Sequence, residues 1–155
     1  MCKFNCENMV VLESIHENYA TLLCGDYQIP IVAEVTSDIF DRESIGKTIS
    51  LDLLLYSQKI EIYSSSEEFN SAHKNRAPES LIPMRLPCDD GEYEFVAVSA
   101  TIDRVEISDD HTCFALEVQC LGCNFVIFVS AEDVAEAPEP GQILYCIALA
   151  TAEPA

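Results

Sequence analysis

The chain contains a near-copy of itself. Setting LLCGDYQIPIVAEV (22–35) over VQCLGCNFVIFVSA (118–131) aligns Cys24 with Cys120, Gln28 with Asn124, Ile29 with Phe125 and Ile31 with Ile127, without a gap. Upstream, LESIHE corresponds to IDRVEI. Downstream, SIGKTISLDLLL corresponds to EPGQILYCIALA, with Gly46 on Gly141 after a one-residue slip. Identities are few, so order, spacing and hydrophobic pattern carry the inference of a duplicated unit. Each copy is too short to bury much core alone, and the two are expected to pack together.

Each copy reads as three strands, a short polar or helical connection, a glycine and a further strand. Ile29, Ile31, Ala33 and Val35 alternate with Gln28, Pro30, Val32 and Glu34, the period of a half-buried strand. Pro30 belongs at an edge or a bulge. TSDIFDRESI can hold one helical turn capped by Thr36, Ser37 or Asp38. After Gly46, Ile49, Leu51, Leu53 and Leu55 form one strand face, and KIEIY (59–63) reads as a separate fifth strand. Five strands with a connection between the third and fourth resemble the OB-fold, over roughly 10–63 and 94–152. The expected class is therefore all-β: two tandem OB-like small β-barrels, residues 1–63 and 92–155, from an internal duplication.

Residues 64–91 form the linker. Ser65 followed by Glu68 fits a capping box, so a short helix runs to about Lys74 or Arg76 before Pro78 stops it. His73, Lys74 and Arg76 then sit at the helix C-terminus, where cations suit the dipole. Pro83 and Pro87 argue against regular structure beyond it. In the last strand both faces are apolar: Leu144, Cys146, Ala148 and Ala150 on one, Ile143, Tyr145, Ile147 and Leu149 on the other. The second face must be covered by the first barrel, by the linker or by another chain; the first barrel is the expected cover, with a homodimer interface as the runner-up.

With 27 acidic against 8 basic residues the formal charge is -19, and between 92 and 155 twelve acids face one base, Arg104. Such a chain is repelled by nucleic-acid phosphates and by anionic membranes, so neither is expected as a partner. No run of residues is apolar and long enough for a membrane span, and the N-terminus lacks the apolar core of a secretory signal, so a bacterial cytoplasm is the expected setting. Charge asymmetry suggests a non-enzymatic protein-binding module, an inhibitor or immunity-type protein neutralising a basic partner. Its acidic patch would be Glu106, Asp109, Asp110, Glu132, Asp133 and Glu136. A small-molecule-binding barrel is the alternative if an apolar pocket with convergent polar groups exists.

Cysteine supplies the other chemistry. Cys120 and Cys123 flank a tight turn at Leu121-Gly122, and Cys123 aligns with Tyr27, just after the Gly25-Asp26 turn. The repeat sets Cys24 on Cys120 and Cys146 on Leu51, which gives these thiols the role of small buried hydrophobes. A structural zinc or redox protein would use Cys120 and Cys123, with Cys2 and Cys6 as the other close pair, but a closed zinc site needs four ligands. A redox pair wants a helix start after its first cysteine, and here a strand follows. The acid pairs Asp89-Asp90 and Asp109-Asp110 sit in turn-like contexts that explain them without catalysis. No phosphate-binding loop, hydrolase or metalloprotease motif occurs, and neither an enzymatic activity nor a cofactor is expected.

Overall fold

Strands form wherever β-branched and aromatic residues alternate with polar ones, because that pattern buries one face of a pleated ribbon. The computed structural model describes residues 4–35, 41–88 and 91–155. In chain order the elements are β1 (Glu7–His16), β2 (Tyr19–Cys24), β3 (Ile29–Val35), β4 (Thr48–Tyr63), α1 (Ser66–Ala72), β5 (Ser80–Cys88), β6 (Gly91–Ile107), β7 (Cys113–Cys120), β8 (Cys123–Ser130) and β9 (Ile143–Pro154). No helix among the described residues is long and apolar enough to cross a membrane. The proposed cap at Thr36, Ser37 or Asp38, the pair Asp89 and Asp90, and Cys2 lie outside the described residues. Asp41 caps a 3₁₀ turn at Arg42–Ser44, its carboxylate accepting from the Ser44 N–H at 3.1 Å.

The pairings close two rings. β1 joins β2, β2 joins β3, β3 joins β9, β9 joins β4 and β4 returns to β1. The second ring runs through β6, β7, β8, β4 and β9 back to β6. β4 and β9 are common to both, antiparallel from Leu51↔Pro154 to Tyr63↔Ile143. The scheme repeats: β3 runs parallel to β9 at Ala33↔Ala150 just as β8 runs parallel to β4 at Leu55↔Ile127. The all-β, two-ring architecture expected from the repeat is thus what the chain adopts. The division at 63 and 92 stands as a proposal, in which β1–β4 and β6–β9 are the equivalent sets and each lends the other its last strand.

One hydrophobic cluster spans both rings. Leu12, Leu22, Ile31, Leu51, Leu53 and Leu55 in the first, and Ile102, Leu116, Phe125, Ile127 and Leu144 in the second, are each at most 1% exposed. Burying each such side chain is worth about 1.5–3 kcal/mol. Asn8, buried among them, is fully used: its Nδ2 donates to the Asn124 carbonyl at 2.7 Å, and the Asn124 N–H donates back to its Oδ1 at 2.7 Å. The pair ties β1 of one half to β8 of the other.

The hairpin tips also meet. Leu121 and Gly122 have φ of 49° and 85°, a two-residue turn with both residues left-handed. The Asp26 N–H donates to the Leu121 carbonyl at 3.0 Å. A Cβ on Gly122 would stand 2.5 Å from Asp26 Oδ1, so only glycine lets the tips come this close.

Four expectations are corrected. Ile49 to Tyr63 is one strand, because a bulge between Ser57 and Lys59 absorbs the polar stretch that had suggested a break. Pro83 and Pro87 lie within a real strand, β5, which pairs with β6 alone, so neither is asked for a second ladder bond. The first hairpin turn has four residues, since Cys24 pairs with Ile29 while Cys120 pairs with Cys123. The structural counterpart of Cys123 is therefore Ile29, and Tyr27 is a turn residue, 73% exposed. Finally, the second face of β9 is sealed at one end by the linker: Phe69 of α1, 0% exposed, packs with Ala97, Ile143 and Tyr145.

Candidate functional site

The acidic residues singled out by charge do not share one lining. Glu106 lies near the end of β6 and Asp109 in the turn after it, and both line an open hollow of about 300 Å³ with Cys113 and Phe128. Glu136 borders a different hollow with Glu68 and Gln142. Glu132 and Asp133 sit exposed on a 3₁₀ turn. Asp110 is a turn-former: its carboxylate accepts from Ser108 Oγ and Thr112 Oγ1, each at 2.7 Å, and from the Thr112 N–H at 3.2 Å. Those bonds hold its carboxyl down at about 2.

Three buried thiols are shifted up, and a hydrogen bond from Cys24 shifts Cys123 down. Cys120 is pushed up to about 12, chiefly by burial, and Cys146 to about 12 by the same cause. Cys24 is raised by a hydrogen bond to Cys123 and by burial. Metal ligation and thiol exchange both need thiolate, which the surroundings of Cys24, Cys120 and Cys146 oppose. Cys6 is only partly buried and belongs to the segment before β1. Among the described residues no three metal-ligating side chains converge.

The basic cluster past α1 fastens that helix to the sheet. His73 is the C-cap, so it and the bases beyond it lie outside the last helical turn instead of within it. Arg76 Nη1 is 3.3 Å from His73 Nδ1, and His73 Nε2 is 2.9 Å from Glu61 Oε1. Donation to Nδ1 leaves the proton on Nε2, directed at Glu61. The Tyr63 hydroxyl bonds both Glu61 and His73. It keeps the Glu61 carboxyl low, while burial and then Glu61 push the phenol up to about 12. The Arg76 guanidinium stands 4.0 Å over the Tyr145 ring.

A further concavity, roomier than the hollow around Glu106, was not marked by any motif. It is a cleft of about 500 Å³ between the outer face of the first ring and the β5–β6 hairpin. Ser14, His16, Glu17, Tyr19 and Thr21 come from the β1–β2 hairpin, Val32 from β3, Arg85, Glu92, Tyr93 and Glu94 from β5–β6, and Leu149 from β9. Alternation puts Ser14 and His16, and Tyr19 and Thr21, on the outward face whose inward partners fill the core. Arg85 reaches Glu94 Oε1 through Nη2 at 2.6 Å and Nε at 2.8 Å, with Glu92 at 3.9 Å. The hollow around Glu106 is the equivalent rim of the second ring, since Glu106 pairs with Ala115 as His16 pairs with Tyr19. Its lining includes no residue of a second hairpin, and it is smaller. The only sequence signal for the cleft was HENY (16–19), polar and aromatic residues crowded at a hairpin turn.

No protein-family model and no curated sequence matches this chain. Among solved structures it is similar to the cytoplasmic molybdate-binding protein ModG in a form with molybdate bound, at 12% identity and a TM-score of 0.51 over 99% of both chains. That likeness extends over both halves and is one of fold. It also corrects the functional expectation. The matched structure is that of a small-ligand binder, and nothing in the fold or its neighbour supports an inhibitor or immunity-type module meeting a basic protein. Phe69 of α1 packs on Ile143 and Tyr145 of the β9 face considered for a homodimer, while Leu149 of that face lines the cleft.

Proposed function

We propose that this chain is a small-molecule-binding protein whose ligand occupies the cleft between the first ring and the β5–β6 hairpin. The observation that carries the reading is the cleft itself: about 500 Å³ with apolar, aromatic and hydrogen-bonding residues converging from six strands. Concave sites of this size at the junction of packed units are where small ligands bind. The fold likeness to a molybdate-binding protein supports it. We read the chain as a binder, not an enzyme, because Glu94 is held by Arg85 at 2.6 Å instead of standing poised as an acid or a base. We place it in the cytoplasm, a setting in keeping with its free thiols at Cys6, Cys24, Cys113, Cys120, Cys123 and Cys146.

The test is an amide NMR titration of the whole chain with small-molecule fragments. Shifts centred on Ser14, His16, Thr21 and Tyr93, and abolished when Thr21→Trp fills the cleft, support the reading. Saturable binding that maps to another surface and survives Thr21→Trp refutes it.

A further inference from the structure

We propose that the cleft selects a small organic cation, an amine carried on a compact apolar body, in preference to an oxyanion. The inference rests on the cleft being the ligand site. Its lining holds three carboxylates, Glu17, Glu92 and Glu94, against one guanidinium. Arg85 is already engaged: Glu94 takes it at 2.6 and 2.8 Å, so its charge is locally cancelled and its donors are partly used. Glu92 is paired with Arg85 only loosely, at 3.9 Å, and Glu17, also in the lining, makes no ion pair among the described residues. An entering anion would meet that surplus inside a chain of formal charge -19, whereas a cation would be drawn in.

The uncharged part of the lining favours the same ligand. Tyr19, 38% exposed, and the half-buried Tyr93 both line the cleft, one from the β1–β2 hairpin and one from the β5–β6 hairpin. Aromatic rings attract ammonium groups, and the attraction is stronger where water is partly excluded. Val32 and Leu149 give the cleft an apolar floor. Ser14, Thr21 and His16 supply polar contacts that do not oppose a cation. The basic notch beyond α1, where an anion would otherwise be drawn, has its Arg76 and His73 committed to Tyr145 and Glu61.

The experiment is calorimetric titration of the whole chain with an isosteric series and an oxyanion: 2-phenylethylamine, 2-phenylethanol, 3-phenylpropionate and sodium molybdate. The amine should bind roughly 10-fold tighter than the alcohol, equivalent to about 1.4 kcal/mol, and the two anions weakest. Replacing both of these acids, Glu17→Gln with Glu92→Gln, should shrink the preference to under about 3-fold while the alcohol binds as before. Both positions are exposed, so folding should survive, checked by an unchanged thermal melt. If the alcohol or an anion binds as tightly as the amine, and Thr21→Trp abolishes that binding, charge selection is overturned while the cleft remains the site. An amine preference unmoved by the double substitution also overturns it. If no probe binds, or binding ignores Thr21→Trp, the cleft reading fails and this inference with it.

Discussion

Removing the Phe69 ring tests the packing that seals the outer face of β9. The side chain is 0% exposed, edge-on to Tyr63 with centroids 5.4 Å apart and 5.1 Å from the His73 ring, and it caps Ala97, Ile143 and Tyr145. Truncating a buried phenylalanine costs about 3–5 kcal/mol, the lost transfer energy plus the cavity left behind. A seven-residue helix has no stability of its own, so α1 depends on this contact. The loss is capped at the energy of docking α1, because undocking relieves the cavity while releasing Arg76 from Tyr145 and His73 from Glu61. For Phe69→Ala we expect a loss of about 3 kcal/mol in urea unfolding and a fall in Tm of about 6–12 °C for a chain of this size. Hydrogen exchange should quicken at α1 before the two rings open. A loss under about 1 kcal/mol, with exchange at α1 unchanged, would refute the claim that Phe69 holds the linker on the sheet.

Other outcomes follow from the same geometry. Gly122→Ala should cost about 1–3 kcal/mol by denaturant unfolding, since the new Cβ meets Asp26 and the residue keeps a φ of 85°. Asp110 has a folded pKa near 2, below its unfolded value, so its contribution is present above about pH 4 and lost as pH falls toward 2. Asp110→Asn should therefore flatten the dependence of Tm on pH in that window, and an unchanged slope would contradict its role in the turn. Alkylation at pH 7.5, mapped by peptide mass, should spare Cys24, Cys120, Cys123 and Cys146 until the chain unfolds, whereas Cys6 and Cys113 should react in the native state. Because β4 and β9 belong to both rings, unfolding should be a single transition and residues 1–63 alone should show no cooperative melt.

Local chemistry was legible in the sequence where it decided the structure. The period-2 runs gave most strands, and Ser65 was visible as a cap, its Oγ now accepting from the Glu68 N–H at 3.2 Å. Leu121-Gly122 could be read as a hairpin turn because two cysteines bracketed it at the right spacing. What stayed hidden was non-local. Nothing in a strand's own residues says that β3 will close its ring on β9 from the other end of the chain. Ser57-Gln58-Lys59 looked like a break because a bulge and a turn share polar composition. Pro83 and Pro87 counted against a strand because edge position is a property of the sheet, not of the segment. The cleft was hidden for the same reason: its residues come from six strands and carry no spacing signature. Net charge, the loudest signal, pointed to a basic protein partner, whereas the structural likeness is to a small-ligand binder.

The account's central claim is that the cleft holds a small molecule. Native mass spectrometry of the chain purified gently from its own host, beside its Thr21→Trp variant, tests it most directly. The account predicts one non-covalent small-molecule adduct per wild-type chain, absent from the variant. The same adduct at the same occupancy in both would contradict it.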